Sequence, residues 1–296
     1  MTDRILRFAL FGSDYQQGQA ETVAHIIRVL KSHGAVVGID STFAALLSEG
    51  GAVDVSDLHE FRGDAFDADF VLSLGGDGTF LKAASRVGAK GTPIIGVNLG
   101  RLGFLADVQA ADVERAVADV YEGRYTVERH VALLLDTGAE DSPFALNDIA
   151  ILKRDTASMI SIRTMVDGEY LTTYQADGLI VSTPTGSTAY SLSNGGPIIA
   201  PLTGVLCLTP VAPHSLNVRP IVLKNDVEIR LSIESRSHNF LVAVDGRSEK
   251  FSEQTEIVIR KAPFTVNMVK FPVQTYFATL REKMMWGADK REVGSR

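Results

Sequence analysis

Apolar positions in the first third of the chain alternate between short unbroken runs and helical stripes. Residues 7–11 (RFALF) form a run of strand length that stops at Gly12. Val23, Ile26, Ile27 and Leu30 then recur at helical spacing, with Gly34 where a C-terminal cap glycine belongs. Phe70, Val71, Leu72, Ser73 and Leu74 predict a strand buried on both faces, broken sharply at Gly75-Gly76. Residues 79–87 predict a helix closed by Gly88, and residues 93–97 the next strand. A further helix is expected over residues 113–121, with Val113, Ala116, Val117 and Val120 on one face. Strands alternating with helices predict an α/β domain with a mainly parallel sheet and helices on both faces.

The pattern changes near Gly123. Residues 131–135, 149–152, 160–166, 179–182, 227–233 and 257–259 are short apolar or alternating runs, and Asp167-Gly168 between two of them suits a hairpin turn. This half reads as all-β, with two layers like a sandwich. Near the end Phe277, Leu280 and Met284 have helical spacing within residues 276–286. The expected organisation is an α/β domain over residues 1–123, a β-rich domain over 124–274, and a C-terminal helix and tail over 275–296. That helix is free to return to the first domain, and the charged tail after Gly287 is expected to fray.

Composition narrows the class. The 296 residues are 45% hydrophobic and 22% charged, which suits a folded protein with a sizeable core. Cys207 is the only cysteine, so an intramolecular disulfide is excluded, and its apolar surroundings (205–208) suit a buried small side chain rather than a nucleophile. No apolar run approaches membrane-spanning length, and residues 1–10 carry no leader pattern, so the cytoplasm is the expected compartment and no membrane partner is expected. A formal net charge of −7 argues against a nucleic-acid partner. It leaves room for a small anionic ligand, because backbone N–H groups alone can make a pocket locally positive.

Four segments can carry chemistry. Gly75-Gly76-Asp77-Gly78-Thr79 joins a predicted buried strand to a predicted helix, the place where open α/β sheets bind ligands. Glycines there admit close approach, and the helix would aim free N–H groups at phosphate. Asp77 repels phosphate, so it reads as a general base, as a ligand for a magnesium ion carried by phosphates, or as an ordinary N-cap. The second segment runs from Asp177 to Ser191, an apolar strand entering a turn crowded with hydroxyls, followed by Asn194-Gly195-Gly196-Pro197. Such a run suits recognition of a sugar or amide, with Tyr190 as a stacking face, or it is a polar surface loop. In residues 98–105, Arg101 can meet phosphate and Phe104 can line a base pocket. Asn147-Asp148, between apolar runs, is either a turn or a pair aimed at a ligand. Other signatures are missing. There is no Walker A lysine loop, no Gly-x-Gly-x-x-Gly, no Gly-x-Ser-x-Gly elbow, and no metal-ligand spacing among the six histidines.

Gly75 to Thr79 resembles the defining motif of a kinase superfamily that includes NAD kinases, diacylglycerol kinases, sphingosine kinases and phosphofructokinases. The run from Asp177 to Ser191, together with Asn147-Asp148 and residues 98–104, is similar to the NAD kinase (ATP-NAD kinase) branch. The likeness covers residues 72–247. It implies an N-terminal α/β domain, a β-rich C-terminal domain and an active site between them. It further implies a homodimer or homotetramer, ATP with a divalent metal such as magnesium, and phosphorylation of the adenosine-ribose 2′-hydroxyl of NAD to give NADP. By matching positions, Asp77 resembles the catalytic proton acceptor, while Gly75, Gly76, Gly78 and Thr79 resemble its phosphate-binding turn. Gly78, Phe104, Asn147, Asp148, Ser158, Gln175, Asp177, Thr188, Ala189, Tyr190, Ser191, Leu192, Ser193 and Arg247 resemble the NAD contacts, and Asp245-Gly246 a turn near them. The family usually carries Glu where this chain has Asp148, so the charge is kept and the reach shortened. Competing readings are a lipid kinase, which needs a membrane-facing surface, a non-catalytic dinucleotide sensor, and a structural α/β protein whose glycines serve only turns.

Overall fold

The computed structural model describes residues 5–12, 19–49, 51, 53–100, 103–140, 142–155, 158–272 and 275–286. The chain divides into two compact units, Met1–Glu128 with Asn267–Arg296, and Arg129–Val266. Residues 124–128 and 267–274, read above with the second domain, lie in the first unit, as does the C-terminal helix Tyr276–Met284.

In the first unit the strands are β1 (Arg7–Gly12), β2 (Val36–Asp40), β3 (His59–Phe61), β4 (Phe70–Leu74), β5 (Ile94–Asn98) and β6 (Val108–Gln109). They lie parallel in the order β3-β2-β1-β4-β5-β6. Between them run α1 (Ala20–Ser32), α2 (Ser41–Glu49), α3 (Asp77–Val87) and α4 (Val113–Tyr121). The stripe that predicted α1 is its buried face: Val23, Ile26, Ile27 and Leu30 are all in the core, and Gly34 follows the helix at φ +73°. Every residue of β4 and β5 is buried, because helices cover both faces of the central sheet. The strand order reverses between β1 and β4, which opens a crevice at their carboxyl ends. The turn after β4 therefore stands where such sheets bind ligands.

In the first unit β2, β3, β6 and α2 went unread in the sequence. The Asp40 carboxylate accepts the N–H groups of Thr42 and Phe43 and so starts α2 directly at the end of β2, with no loop to mark the join. In the C-terminal helix the expected apolar stripe is only partly used: Leu280 is buried, whereas Phe277 is exposed.

The second unit holds two antiparallel layers. One contains β10 (Ile160–Val166), β11 (Glu169–Ala176), β15 (Ile229–Glu234) and the start of β18 (Ile257–Lys270), in the order β11-β10-β15-β18, extended by β7 (Thr126–Asp136) and β8 (Phe144–Ala145). The other has the order β14-β13-β12-β9-β16-β17, built from β9 (Asp148–Lys153), β12 (Gly178–Ser182), β13 (Val205–Val211), β14 (Ile221–Lys224), β16 (Asn239–Val244) and β17 (Arg247–Ser252). Side chains from both layers share one core, among them Ile162, Leu231 and Ile257 from the first and Ile151, Leu179 and Phe240 from the second. Asp167-Gly168 makes the expected β10–β11 turn with φ of +49° and +80° at its two residues. Cys207 is fully buried in β13, and burial pushes its thiol pKa up. Among the described residues no helix is long and apolar enough to cross a membrane.

Leu72 in β4 is 1% exposed at the centre of the first unit's core. Leu72→Ala is expected to cost about 2–5 kcal/mol, by lost apolar contact and the cavity left behind. A thermal scan should show the transition of the first unit falling by several degrees, ahead of that of the second.

Candidate active site

The turn from Gly75 to Thr79 is built by β4, β5 and α3 together. The Gly75 N–H continues the strand ladder onto the Val97 carbonyl, and then the backbone swings to φ +152°, a conformation that favours glycine. A Cβ at Gly75 would lie 2.4 Å from Thr79 Oγ1, so space as well as conformation requires glycine there. Gly76 and Gly78 are different. Neither has a positive φ, and a Cβ at either would meet nothing within 4 Å. Nothing inside the protein demands glycine at these two positions; they leave open space over the first turn of α3, where free N–H groups and the helix dipole favour an anion.

Asp77 is the first residue of α3, and the N-cap is Gly76, so the N-cap reading of Asp77 does not hold. Its carboxylate turns to the loop that follows β5. Oδ1 accepts the N–H groups of Leu105 (2.9 Å) and Ala106 (3.1 Å), and Oδ2 accepts that of Phe104 (3.0 Å) and the Lys283 ammonium (3.1 Å). Gly103 makes the approach possible, since a Cβ there would fall 2.0 Å from Asp77 Oδ1. Burial pushes the Asp77 carboxyl up, but the three N–H groups and the Lys283 charge outweigh it and hold the pKa below the ordinary value. Asp77 is thus an anion at neutral pH. Phe104 is drawn in by its backbone, and its ring lies 4.7 Å beneath the Lys283 ammonium. Lys283, on the C-terminal helix, was missed in the sequence, where its helix looked merely amphipathic. Asn98, at the end of β5, is buried; its Oδ1 accepts the Gly100 N–H, and its Nδ2 has no partner. Arg101 lies outside the described residues.

In the second unit Asn147 and Asp148 stand where β8 passes into β9. Asp245, in the β16–β17 turn, accepts the N–H groups of Leu146 (2.8 Å), Asn147 (2.8 Å) and Asp148 (3.2 Å), and its own N–H returns to the Asp148 carbonyl. Asp245 and Gly246 both have positive φ (+47° and +80°), the geometry of a two-residue hairpin turn. So fixed, the Asn147 side chain keeps a buried Oδ1 with no hydrogen-bond partner. An orphaned acceptor of this kind typically costs about 1–3 kcal/mol, and a ligand donor would offset it. Asp148 is 6% exposed, and burial first, then the charge of Asp245, pushes its pKa up to about 7. The Asp245 carboxyl is also raised by burial, against the pull of its three N–H donors.

The hydroxyl-rich turn after β12 spends most of its hydroxyls on its own architecture. Thr183 donates to the Leu146 carbonyl, Ser187 to Pro184, and Ser191 pairs with Thr209 in the interior, while Thr185 is bonded to buried His130. The turn is pressed on Asn147 so closely that a Cβ on Gly186 would lie 2.0 Å from the Asn147 carbonyl oxygen. It thus buttresses the Asn147-Asp148 backbone, a role that hydroxyl count alone did not reveal. Thr188, Ala189 and Leu192 are half-buried, and Tyr190 and Ser193 are exposed on the short helix Tyr190–Ser193. Arg247 begins β17, directly after the Asp245 turn. Three expected residues lie elsewhere in this unit. Asp177 sits at the start of β12, paired with Lys153 at 2.7 Å, whereas Asp148 pairs with Ser182 at the other end of that strand. Gln175 is on β11, bonded to Ser161, and Ser158 lies just before β10. Ser158, Gln175 and Asp177 therefore share one end of the unit, and Asn147, Asp148 and Arg247 the other.

Comparison with known proteins follows the same division. Residues 12–125 match the ATP-NAD kinase N-terminal domain, and residues 146–271 the ATP-NAD kinase C-terminal domain. The chain is 54% identical over 289 residues to an NAD kinase of Bacteroides fragilis (strain YCH46), covering 97% of this chain and 100% of that one. It is 42% identical over 294 residues to an NAD kinase of Flavobacterium psychrophilum, covering 97% and 100%. Among solved structures it resembles yeast NADH kinase complexed with NADH (TM-score 0.85, 25% identity, covering 97% and 90%). It also resembles an NAD kinase from Archaeoglobus fulgidus in complex with ATP (TM-score 0.72, 28% identity, covering 95% and 99%).

The raised pKa of Asp148 has a consequence for stability. Its carboxyl titrates near 7 in the folded chain against 3.8 ordinarily, so between those values the folded state holds the extra proton. Stability contributed by this group therefore falls as pH rises through that window and levels off above it. Asp148→Asn removes the titration, and its melting temperature relative to wild type is expected to be higher at pH 8 than at pH 5. An equal offset at both pH values would show that Asp148 is not protonated.

Proposed function

Because the chain belongs to the ATP-NAD kinase family, we infer that it transfers a phosphoryl group from ATP to NAD, giving NADP. The observation that carries the chemistry is Asp77, an ionised carboxylate fixed at the first turn of a helix between two glycines that face open space. We propose that the turn formed by Gly75, Gly76, Gly78 and Thr79 receives the donor's phosphates on the free N–H groups at the start of α3, those of Gly75 and Thr79 being bonded to Val97 and Gly76. Asp77 takes the proton of the adenosine 2′-hydroxyl. Such transfers depend on positioning and charge stabilisation more than on a strong base, which suits a carboxylate whose pKa lies below its ordinary value.

Asn147 and Asp148 are proposed to hold ribose hydroxyls of the dinucleotide. The orphaned Asn147 oxygen awaits a donor, and a protonated Asp148 can donate a hydrogen bond where an ionised one could only accept. Phe104, Ser158, Gln175, Asp177, Arg247 and residues 188–193 are proposed as further dinucleotide contacts. A divalent metal, magnesium in this proposal, enters with the triphosphate and offsets its charge. Among the described residues no cluster of three or more acidic, histidine or cysteine side chains would cage one. A cytoplasmic homo-oligomer completes the proposal, supported by the family resemblance alone.

Purified enzyme with ATP, NAD and magnesium is expected to form NADP, read by an NADP-specific dehydrogenase; offering diacylglycerol in place of NAD should give no phosphorylated product. Asp77→Asn is expected to lower turnover by about 10²–10⁴. A folded Asp77→Asn enzyme with near-normal turnover would remove the base assignment.

Gly78→Ala tests the open face. A Cβ there touches nothing, so the variant should be as stable as wild type or more so by about 0.5–1 kcal/mol, since glycine is a poor helix former. Its KM for ATP should nonetheless rise. An unchanged KM would mean that the phosphates do not approach this turn.

A further inference from the structure

Asp77 is saturated. An ionised carboxylate has about four lone-pair positions, and here Leu105, Ala106, Phe104 and Lys283 supply four donors. The base proposed above therefore has no free position for a substrate hydroxyl. Three of the donors are backbone N–H groups fixed by the loop after Gly103. The fourth is the end of a flexible lysine side chain, one-third exposed, on a helix near the end of the chain. Of the four, Lys283 is the one that can leave. The turn also lacks what phosphate turns usually have. No lysine stands directly after its glycines (the next, Lys82, is a turn further along α3), and the cation bonded to Asp77 comes from Lys283.

We propose that Lys283 is a catalytic residue that gives up Asp77 when ATP binds and carries its charge to the donor's phosphates. This rests on the reading of Asp77 as the proton acceptor and adds to it the source of positive charge. Departure of the ammonium frees Oδ2 for the 2′-hydroxyl in the same event that brings a cation to the triphosphate. The exchange is local, because Asp77 begins the helix whose N-terminal N–H groups face the phosphates. In the transfer itself the hydroxyl oxygen bonds to the γ-phosphorus as its bond to the bridging oxygen breaks, and ADP keeps that electron pair. The hydroxyl proton passes to Asp77. Lys283 stays an ammonium throughout and changes only its partner. The Phe104 ring beneath it offers a face along which the ammonium can swing without losing all its contacts.

The test is Lys283→Met in the full-length enzyme, with ATP and NAD affinities measured by equilibrium titration and turnover by NADP formation. ATP affinity is expected to fall about tenfold and turnover about 10- to 100-fold, with NAD affinity unchanged. Lys283→Arg should recover part of both. Lys283→Cys, folded first and then aminoethylated, should regain ATP affinity and turnover as the ammonium is restored; buried Cys207 is shielded from the reagent. That chemical rescue also decides the matter if the methionine variant fails to fold. Wild-type ATP affinity and turnover in Lys283→Met would overturn the proposal, as would faster turnover, which would make the lysine only a lock on Asp77. The two readings fail separately, since an active Asp77→Asn enzyme would remove the base while the ATP titrations still report on Lys283.

Discussion

Three successive backbone N–H groups, those of Phe104, Leu105 and Ala106, converge on one carboxylate, and the first unit's candidate site depends on that convergence. It ties the helix that starts at Asp77 to the loop that leaves the neighbouring strand β5. Glycines set the distance. Gly103 lets the loop touch the carboxylate, and Gly96 lets the same loop cross β5, since a Cβ there would lie 2.5 Å from the Leu105 carbonyl oxygen. The parallel sheet supplies the platform, with β4 and β5 buried on both faces so that their carboxyl ends are held in register. Side-chain charge, strand order and small residues here act as one device.

The second unit uses the same chemistry with the opposite electrostatic result. Asp245 also accepts three successive N–H groups, those of Leu146, Asn147 and Asp148, and so fixes the pair proposed to meet the ribose. Asp77 has a lysine beside it and remains readily ionised, whereas Asp245 has a second buried carboxyl, Asp148, as its neighbour. Two buried acids side by side resist double ionisation, and the proton stays with Asp148 into the neutral range. One unit thus holds an aspartate that is readily ionised and the other an aspartate that keeps its proton into the neutral range. That difference comes from neighbours distant in sequence, Lys283 in one case and Asp245 in the other.

Distance in sequence also decides what could be read without a structure. Alternation of runs and stripes located β1, α1, β4, α3, β5 and α4, because each buries a face whose period is visible locally. The turn from Gly75 to Thr79 was legible for the same reason, as a glycine cluster between a strand and a helix. Hidden from view were the partners of Asp77, which lie 27 to 29 residues away in the loop and 206 away at Lys283. Asp245 was legible as a turn but not as a clasp, since its contacts lie 97 to 99 residues back. The hydroxyl-rich turn was legible as a hydrogen-bonding segment, but its partners inside the chain were not. Serines and threonines advertise hydrogen bonding without saying to what, and here Thr183, Ser187 and Ser191 bind their own chain.

What the fold leaves unexplained points to the ligands. A helix gains nothing from glycine in its first turn, yet Gly78 stands there, just past the N-cap Gly76, with no contact and no special φ to demand it. A folded interior gains nothing from an unpaired amide oxygen, yet Asn147 keeps one, and Asn98 keeps an unpaired amide nitrogen. Each is a small cost with no return inside the protein, and the glycines flank Asp77 while Asn147 is held by Asp245. The clasps explain why these groups are rigid; the phosphate proposed over the glycines and the hydroxyls proposed at Asn147 would explain why they are there. Rigidity without a partner is what a transfer governed by positioning requires, because the groups must already be in place when two anions are brought together.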